Sequence, residues 1–509
     1  MAESTKRYVA VDLGTTGGKV VLASVTAGTV TTETVHSFSI PVLRMGGLSY
    51  WDIYAAYSEV LKGLSSIGSR GLAVESVGID AWGPGLVCVA KDGKFLGLPR
   101  LAAEVLSESV QAKFFKRMDK RELYEATGVN VLDTHAALQL FGLRRAKSVA
   151  LDDAKYLLFI PEVFVYLLAD KRFMGFTSLS AAGLLDRRTR KIARDVLSAC
   201  KVRPRRFPSV AMPGAKLGKL TEEVAQATGL GRIPVVAVAG HDLASAAVAL
   251  SAIYPPAQSS DSSAQSAPVP DPRSSQPGAS AFLRIGSVSE LGVGTASPVV
   301  NDQTFEMNFS NEAAADGTNL LVGRIVGTDL LERCVAAWRA AGRDYGPEDL
   351  ARMAREGAPV AAQLDPEDPA LRSAFAAPSF DPAAALSRYC SLRSMTAPAD
   401  DASIVRLILT SLAEKIGDTF VKLQSVTPFR LKSLCLIGSL HSGPLGEVFC
   451  QMVADECAVP VQTGPEDAAV LGNVLVQAGG AQAGSCQSAL ARSALAALSS
   501  PAVTYTPGL

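Results

Sequence analysis

The sequence predicts an α/β protein built as two lobes around a central cleft, and three observations carry that prediction. An apolar strand near the N-terminus, Tyr8 to Val11, runs into a Gly/Thr-rich turn and a second β-rich run, Val20 to Val25. A second strand–glycine–strand turn recurs at Gly286-Ser287, between Ala281–Ile285 and Ser289–Val293. Strands and one-faced helices alternate after each turn, the order expected where helices cover a mixed sheet. With 509 residues the chain is long enough for two or three domains, each with a full core.

The elements follow in order. Val30 to Ile40 extends the opening hairpin into a three-strand meander. Asp52 is a good N-cap, and Ile53, Tyr57, Val60, Leu61 and Leu64 then fall on one helical face. Val74 to Ile79 is a short strand ending in Asp80-Ala-Trp-Gly-Pro-Gly85. Residues 107 to 200 read as mainly helical, and Ile233 to Ala239 as a buried strand closing the first lobe. Pro255 to Ser280 is Ser/Pro/Ala-rich, buries too little to offset its chain entropy, and reads as a disordered or solvent-looped insertion. In the second lobe, a helix capped at Ser403 carries Ile404, Ile408, Leu412, Ile416 and Phe420 on one face. Leu434 to Ile437 is a core strand ending at Gly438, and helices run on to about residue 480. The tail from Gly479 is Ala/Ser-rich with one helix near 486–498. The domain boundaries that result are 1–250, an insertion at 251–280, 281–480, and a tail at 481–509.

Composition excludes several classes of function. Lys+Arg and Asp+Glu balance at 49 each, so no global field recruits nucleic acid or an anionic membrane. The eight Cys include no Cys-x-x-Cys pair and no zinc spacing, as expected of reduced, buried thiols. The first seven residues run straight into a strand and leave no room for a secretory leader. The longest apolar stretch, Ile233 to Tyr254, is broken by His241 and Asp242, short of the roughly 18 residues a membrane span needs. A cytoplasmic monomer or homodimer without nucleic-acid or membrane partners is expected.

Chemistry is concentrated at the turns. In Val9-Ala-Val-Asp-Leu-Gly-Thr-Thr-Gly-Gly-Lys-Val20 the glycines permit φ > 0 and close backbone approach, so N–H groups can converge on phosphate oxygens. Asp12 stands where a carboxylate can hold a hydrated Mg²⁺. A plain structural turn has the same composition. The stretch is not a Walker A loop, because Leu13 and Val20 occupy required Gly and Ser/Thr positions. Asp242, at the end of a buried strand, can accept the proton of a bound alcohol attacking phosphorus, or simply cap the helix that follows. Gly286-Ser287 is either a second phosphate contact or a turn.

The opening hairpin resembles the phosphate loop of the sugar kinase, hsp70 and actin superfamily. That likeness implies an actin-like ATPase fold with a ribonuclease H-like core in each lobe. Further stretches, including Gly78-Ile-Asp-Ala-Trp-Gly83, Val236 to Asp242, Met307-Asn-Phe-Ser-Asn-Glu312 and Gly464 to Asn473, resemble FGGY-type carbohydrate kinases, most closely the rhamnulokinase branch. The resemblance implies transfer of the γ-phosphoryl of ATP, with Mg²⁺, to the C1 hydroxyl of L-rhamnulose. It places Asp12 on Mg²⁺ through water, and Gly14, Thr15, Thr16, Gly17, Gly18 and Lys19 around the phosphates. Gly83, His241, Asp242 and Leu243 would hold the sugar, with Asp242 as general base. Ser287 falls on the phosphates and Gly438 opens the adenosine loop. Arg324 on the sugar side and Glu332 on the nucleotide side stand where the family carries Asn and Gln. Other departures are Glu290 close to the phosphate position, Pro84-Gly85 in place of Val-Asp, Leu101-Ala-Ala-Glu104 in the sugar segment, and Gly438-Ser-Leu-His-Ser-Gly443 in the adenosine loop. They motivate two alternatives: a kinase for another ketose or polyol, or a catalytically weak sugar- or nucleotide-binding relative.

If 255–280 is an insertion without a core of its own, deleting 256–278 leaves the melting temperature and activity close to those of the parent. A collapse of thermal stability in the deletion variant would show the segment to be structural.

Overall fold

The structure, a computed structural model, describes residues 5–15, 17–26, 29–83, 85–101, 107–131, 135–253, 279–375, 380–479 and 503–508. Of the insertion expected at 251–280, residues 254–278 lie outside the described residues, as does the helix expected near 486–498. The flanks of that insertion are ordered elements instead, with 251–253 ending the helix Asp242–Ile253 and Ala279 and Ser280 opening the strand Ala279–Ile285. The chain packs as two compact units. The first takes in residues up to Pro255, then Gly294–Leu321 and Asp467–Ser499; the second takes in Pro256–Val293, Val322–Glu466 and Ser500–Leu509.

The first unit is built on a six-stranded mixed sheet. Its order is Lys216–Lys219, Pro234–Val236, Ser76–Ala81, Lys6–Leu13, Gly17–Thr26 and Thr29–Ser39. Lys6–Leu13 pairs antiparallel with Gly17–Thr26 and parallel with Ser76–Ala81. Strand period two sorts the apolar side chains of Lys6–Leu13 onto opposite faces. Val9, Val11 and Leu13 pack toward Ile53, Val60, Leu64 and Ile67 of the helix Ile53–Gly68. Tyr8 and Ala10 join a second cluster with Val248, Val470, Leu471 and Val474, from the helices Asp242–Ile253 and Ala468–Gly479. Both faces are therefore covered, and each fully buried Val or Leu contributes roughly 1.5–3 kcal/mol toward holding the layers together. The meander and the Asp52 cap form as read from the sequence, with Asp52 Oδ1 accepting from the Ala55 N–H at 3.0 Å.

The second unit repeats the wiring. Ala279–Ile285 forms a hairpin with Val288–Thr295 and lies parallel to Leu431–Gly438, which lies parallel to Val461–Thr463. Thr504–Tyr505 completes that edge antiparallel to Val461–Thr463, a strand the tail composition does not suggest. The long helix spans Asp401–Val426 and is capped by Asp400 rather than Ser403. Ser403 is the reciprocal partner: its N–H donates to Asp400 Oδ1, and its hydroxyl accepts from the Asp400 N–H.

Close packing of two helices in the first unit makes one glycine irreplaceable. A Cβ on Gly472 would fall 1.7 Å from the Ser245 carbonyl oxygen. Alanine at a helical glycine ordinarily gains about 1 kcal/mol, but overpacking against backbone costs about 1–3 kcal/mol or more. Gly472→Ala is expected to destabilise by about 2 kcal/mol in urea unfolding; a stabilised variant would show that the helices are free to separate.

Candidate active site

The turn after the first strand is closed by the Gly14 N–H donating to the Gly17 carbonyl at 2.7 Å. Neither Gly14, Gly17 nor Gly18 adopts a left-handed φ, so the conformational freedom read from the sequence is not what they supply. They supply room. A Cβ on Gly17 would lie 2.8 Å from the Phe38 carbonyl oxygen, and one on Gly18 would strike the Phe38 ring and Leu13. The Thr15 carbonyl accepts from Trp51 Nε1 at 3.2 Å. Thr16 lies outside the described residues.

At the carboxyl end of the strands, register places Asp12 beside both Lys19 and Asp80. Lys19 Nζ lies 3.4 Å from Asp12 Oδ2 and donates to Asp467 Oδ1. Burial pushes the Asp12 carboxyl up; Lys19 opposes the rise while Asp242 and Asp467 add to it, leaving it above its usual range. Burial works against the charge on Lys19, yet Asp12 and Asp467 outweigh it and hold the ammonium above its ordinary value. Asp80, fully buried, is driven well above the carboxylate range, first by burial and then by Asp12. Its Oδ1 accepts from Asn473 Nδ2 at 2.5 Å, while Oδ2 makes no hydrogen bond among the described residues. Gln477 continues the chain, donating to Asn473 Oδ1 at 2.7 Å and to the Val9 carbonyl at 2.9 Å. Lys19 thus pairs with Asp12 and Asp467, while the charge of Asp242 reaches both Asp12 and Asp80. An excess of acidic oxygens suits a hard cation, and the orphaned Asp80 oxygen points the same way. Among the described residues no three or more acidic, His or Cys side chains converge to enclose a metal. The donors fit a Mg²⁺ that keeps most of its waters and meets the protein through one carboxylate.

The neighbouring segment holds the residues expected to meet the sugar. The Ala81 N–H donates to the Gly240 carbonyl, and the Trp82 N–H to the Leu13 carbonyl, each at 2.9 Å. Those bonds fix the end of the Ser76–Ala81 strand beside the His241-Asp242 turn. The helix starts at Asp242, and the His241 carbonyl accepts its first bond, from the Ser245 N–H. Asp242 is therefore the first helical residue rather than the cap, and its Oδ1 accepts from the Leu243 N–H at 2.7 Å. A helix N-terminus favours the charged carboxylate. His241 is buried, with Nε2 3.5 Å from Asp242 Oδ1 and Nδ1 3.8 Å from Glu312 Oε2. Among the described residues a Cβ on Gly83 would meet only His241, at 3.6 Å, so none of them fills the space between Gly83 and that ring. Trp82 packs against Trp51 with ring centres 5.0 Å apart and the rings tilted by 54°, its indole Nε1 buried and without a hydrogen bond among the described residues. The Leu243 side chain is wholly buried in the core. Pro84 and 102–106 lie outside the described residues.

In the second unit, Ser287 Oγ donates to Glu332 Oε2 at 3.2 Å, and Thr328 Oγ1 donates to Glu332 Oε1 at 2.5 Å. Glu332 thereby ties the hairpin turn to the start of the helix Asp329–Ala340. Glu290, the carboxylate that looks misplaced in the sequence, is buried and compensated: Arg284 pairs with it at 2.5 Å and Arg324 at 3.4 Å. Gly438 has φ +97°, and a Cβ there would fall 2.1 Å from the Ile285 carbonyl oxygen. The buried His441 closes the following loop through Nδ1 and the Gly438 carbonyl.

Sequence reasoning attaches no role to Asp80, Glu312, Asp467 or Asn473. All four lie in stretches it singles out, but Lys19 and Asp467 are 448 residues apart and Asn473 and Asp80 are 393 apart. No local periodicity spans such a gap.

Comparison with known proteins follows the same lines. The model of the FGGY family of carbohydrate kinases, N-terminal domain, matches residues 7–249, and that of its C-terminal domain matches 281–481. A rhamnulokinase from Bacteroides thetaiotaomicron is 33% identical over 473 residues, covering 93% of this chain and 90% of the relative. A rhamnulokinase from Pectobacterium atrosepticum is 28% identical over 473 residues, covering 92% and 87%. Among solved structures, Plasmodium falciparum glycerol kinase with ADP gives a TM-score of 0.72 at 14% identity, over 99% of this chain and 94% of that one. Ligand-bound xylulose kinase from Lactobacillus acidophilus gives 0.71 at 15%, with the same coverage. These likenesses show the fold, the two-domain actin-like ATPase architecture.

A buried carboxyl supports the His241 turn from behind. Glu162 Oε1 accepts from the Gly175 N–H at 2.9 Å, and Ser178 Oγ fills the space beside both Gly175 and Gly240. Burial pushes the Glu162 carboxyl from 4.5 up to about 7. The folded chain then holds a proton that the unfolded chain releases. This contribution is full below the unfolded value and is lost as pH rises through about 7, amounting to about 3 kcal/mol at most. Glu162→Gln keeps the acceptor oxygen and removes the titration. Its unfolding free energy relative to the parent should rise between about pH 5 and 8; a difference flat in pH would count against a neutral Glu162.

Proposed function

Because this chain belongs to the FGGY family of carbohydrate kinases, we propose that it moves the γ-phosphoryl group of ATP to a ketose, L-rhamnulose foremost, giving L-rhamnulose 1-phosphate and ADP. The observation that carries the reading is the meeting, within one unit, of Asp12 with Lys19 at 3.4 Å and with Asp242, whose charge raises the Asp12 carboxyl. The similarity to rhamnulokinases over most of the chain supports the choice of sugar.

In this reading Asp242 accepts the proton of the C1 hydroxyl as that oxygen bonds to the γ-phosphorus and the bond to the ADP oxygen breaks. The helix N-terminus and the Leu243 N–H keep the carboxylate ionised and aimed. Gly83 leaves room for the sugar in front of His241, and Trp82 Nε1 is a donor for one of its oxygens. Gly14, Thr15, Thr16, Gly17, Gly18 and Lys19 are assigned to the phosphates, Ser287, Glu332 and Gly438 to the nucleotide, and Arg324 to the sugar side. Asp12 would hold Mg²⁺ through its waters, where the ion supplies neutralisation of phosphate charge. Positioning and charge neutralisation supply most of the rate, the base less. A second reading, a different ketose or polyol as acceptor, is favoured by Arg324, which stands in place of an amide and directs its guanidinium at Glu290.

A panel of ketoses and polyols with Mg·ATP, followed by ADP release, tests both. Turnover on L-rhamnulose is expected; turnover on another acceptor alone supports the second reading, and turnover on none overturns both. Asp242→Asn should lower kcat by about 10²–10⁴-fold while ATP binding stays within about twofold. Retained turnover would remove Asp242 from the base role.

A further inference from the structure

We infer that Glu312 is a positioning residue that keeps the proton of His241 on Nδ1, so that Nε2 faces the Gly83–Asp242 side as a hydrogen-bond acceptor for a second hydroxyl of the sugar. The inference deepens the kinase reading above and rests on it.

Glu312 sits in the five-residue strand Phe309–Ala313, every residue of which is buried. Its backbone is bolted on both sides within the first unit. The Asn311 N–H donates to the Gly128 carbonyl at 2.7 Å, and Asn311 Oδ1 accepts from the Val299 N–H at 2.6 Å. On the other side the Ala313 N–H donates to Ser180 Oγ at 2.8 Å, and one residue further back Ser310 Oγ accepts from the Asn130 N–H at 3.0 Å. A carboxylate so mounted cannot drift, and it points at the imidazole. Nδ1 of His241 faces Glu312 Oε2 at 3.8 Å, is itself buried, and makes no hydrogen bond among the described residues.

The opposite nitrogen has different surroundings. Nε2 faces Asp242 Oδ1 at 3.5 Å and the space in front of Gly83. Two carboxylates thus flank one ring, and the choice of tautomer turns on which attracts the proton more. Asp242 Oδ1 already accepts from the Leu243 N–H at 2.7 Å, and its side chain is 17% exposed. Nδ1 has no hydrogen-bond partner among the described residues and, of the two carboxylates, faces Glu312 alone. An ionised Glu312, 2% exposed, is screened by water less than Asp242, which favours the proton on Nδ1. A neutral imidazole with its proton on Nδ1 carries a lone pair on Nε2. Nε2 and Asp242 Oδ1 are then two acceptors side by side, and a polyol satisfies both by donating two hydroxyls. The reacting hydroxyl goes to Asp242 and another to His241. Glu312 itself lies too deep for contact and acts through the ring.

The test uses the full chain with ¹⁵N-labelled histidine. The sequence has four His, and His241→Gln assigns the signal. Long-range ¹H–¹⁵N correlation is expected to show His241 with a protonated Nδ1 and a bare Nε2. Protonation at Nε2, or at both nitrogens, overturns the inference, and the parent spectrum alone decides this without any variant having to fold. In Glu312→Gln the His241 pattern should move toward Nε2 protonation, and kcat/KM for the sugar should fall about 10–100-fold with KM for ATP within about twofold. An unchanged His241 spectrum, or equal losses toward sugar and ATP, would reduce Glu312 to a packing residue. Absent turnover in the parent counts against the kinase reading alone, whereas a parent that phosphorylates its sugar with Nε2 protonated counts against this inference alone.

Discussion

The parallel pairing of Lys6–Leu13 with Ser76–Ala81 governs everything at the strand ends. Its register sets Asp12 directly beside Asp80, the first partly exposed and the second fully buried, an arrangement that is costly unless charge is removed or matched. The protein answers in two ways. Lys19, from the adjoining strand, matches Asp12, and Asn473, from the helix Ala468–Gly479, satisfies one oxygen of the Asp80 carboxyl, which burial pushes well above its ordinary value. Remove the register and the turn between the first two strands, the Lys19 pairing and the seat of the helix Ala468–Gly479 all lose their reference.

The same logic of matched burial operates in the second unit. A carboxylate near a phosphate-binding turn looks like an error in the sequence. Glu290 is instead taken up by Arg284 and Arg324, so its charge is spent locally. Glu332 serves the neighbouring turn by accepting from two hydroxyls, Ser287 and Thr328. What reads as erosion of a binding loop is a different internal pairing around the same backbone.

Local patterns in the sequence foretold the local structure well. Strand alternation, the Asp52 cap and the two glycine hairpins were all legible because each depends on residues a few positions apart. The Ser403 cap was misread by three residues, since either member of a reciprocal cap looks like its start and only the backbone shows that Asp400 comes first. Of the two reasons the sequence offers for the glycines of the first turn, close approach holds, at the Phe38 backbone and ring, while none of them takes a left-handed φ. The clusters of the site were not legible, because Lys19–Asp467 and Asp80–Asn473 join the two ends of the chain. The Glu312–His241 pairing likewise depends on a strand anchored to Gly128 and Ser180, which no spacing rule connects.

The helix Ala468–Gly479 packs with strands far earlier in the sequence, Asn473 meeting Asp80 across 393 residues. During translation the sheet of the first unit therefore waits with an apolar face uncovered and with Asp80 lacking its Asn473 donor until that helix has left the ribosome. Nascent chains and C-terminal truncations share that exposed face, which makes them natural clients of chaperones and proteases. An N-terminal fragment ending near residue 250 would be an unfinished layer rather than a free-standing domain.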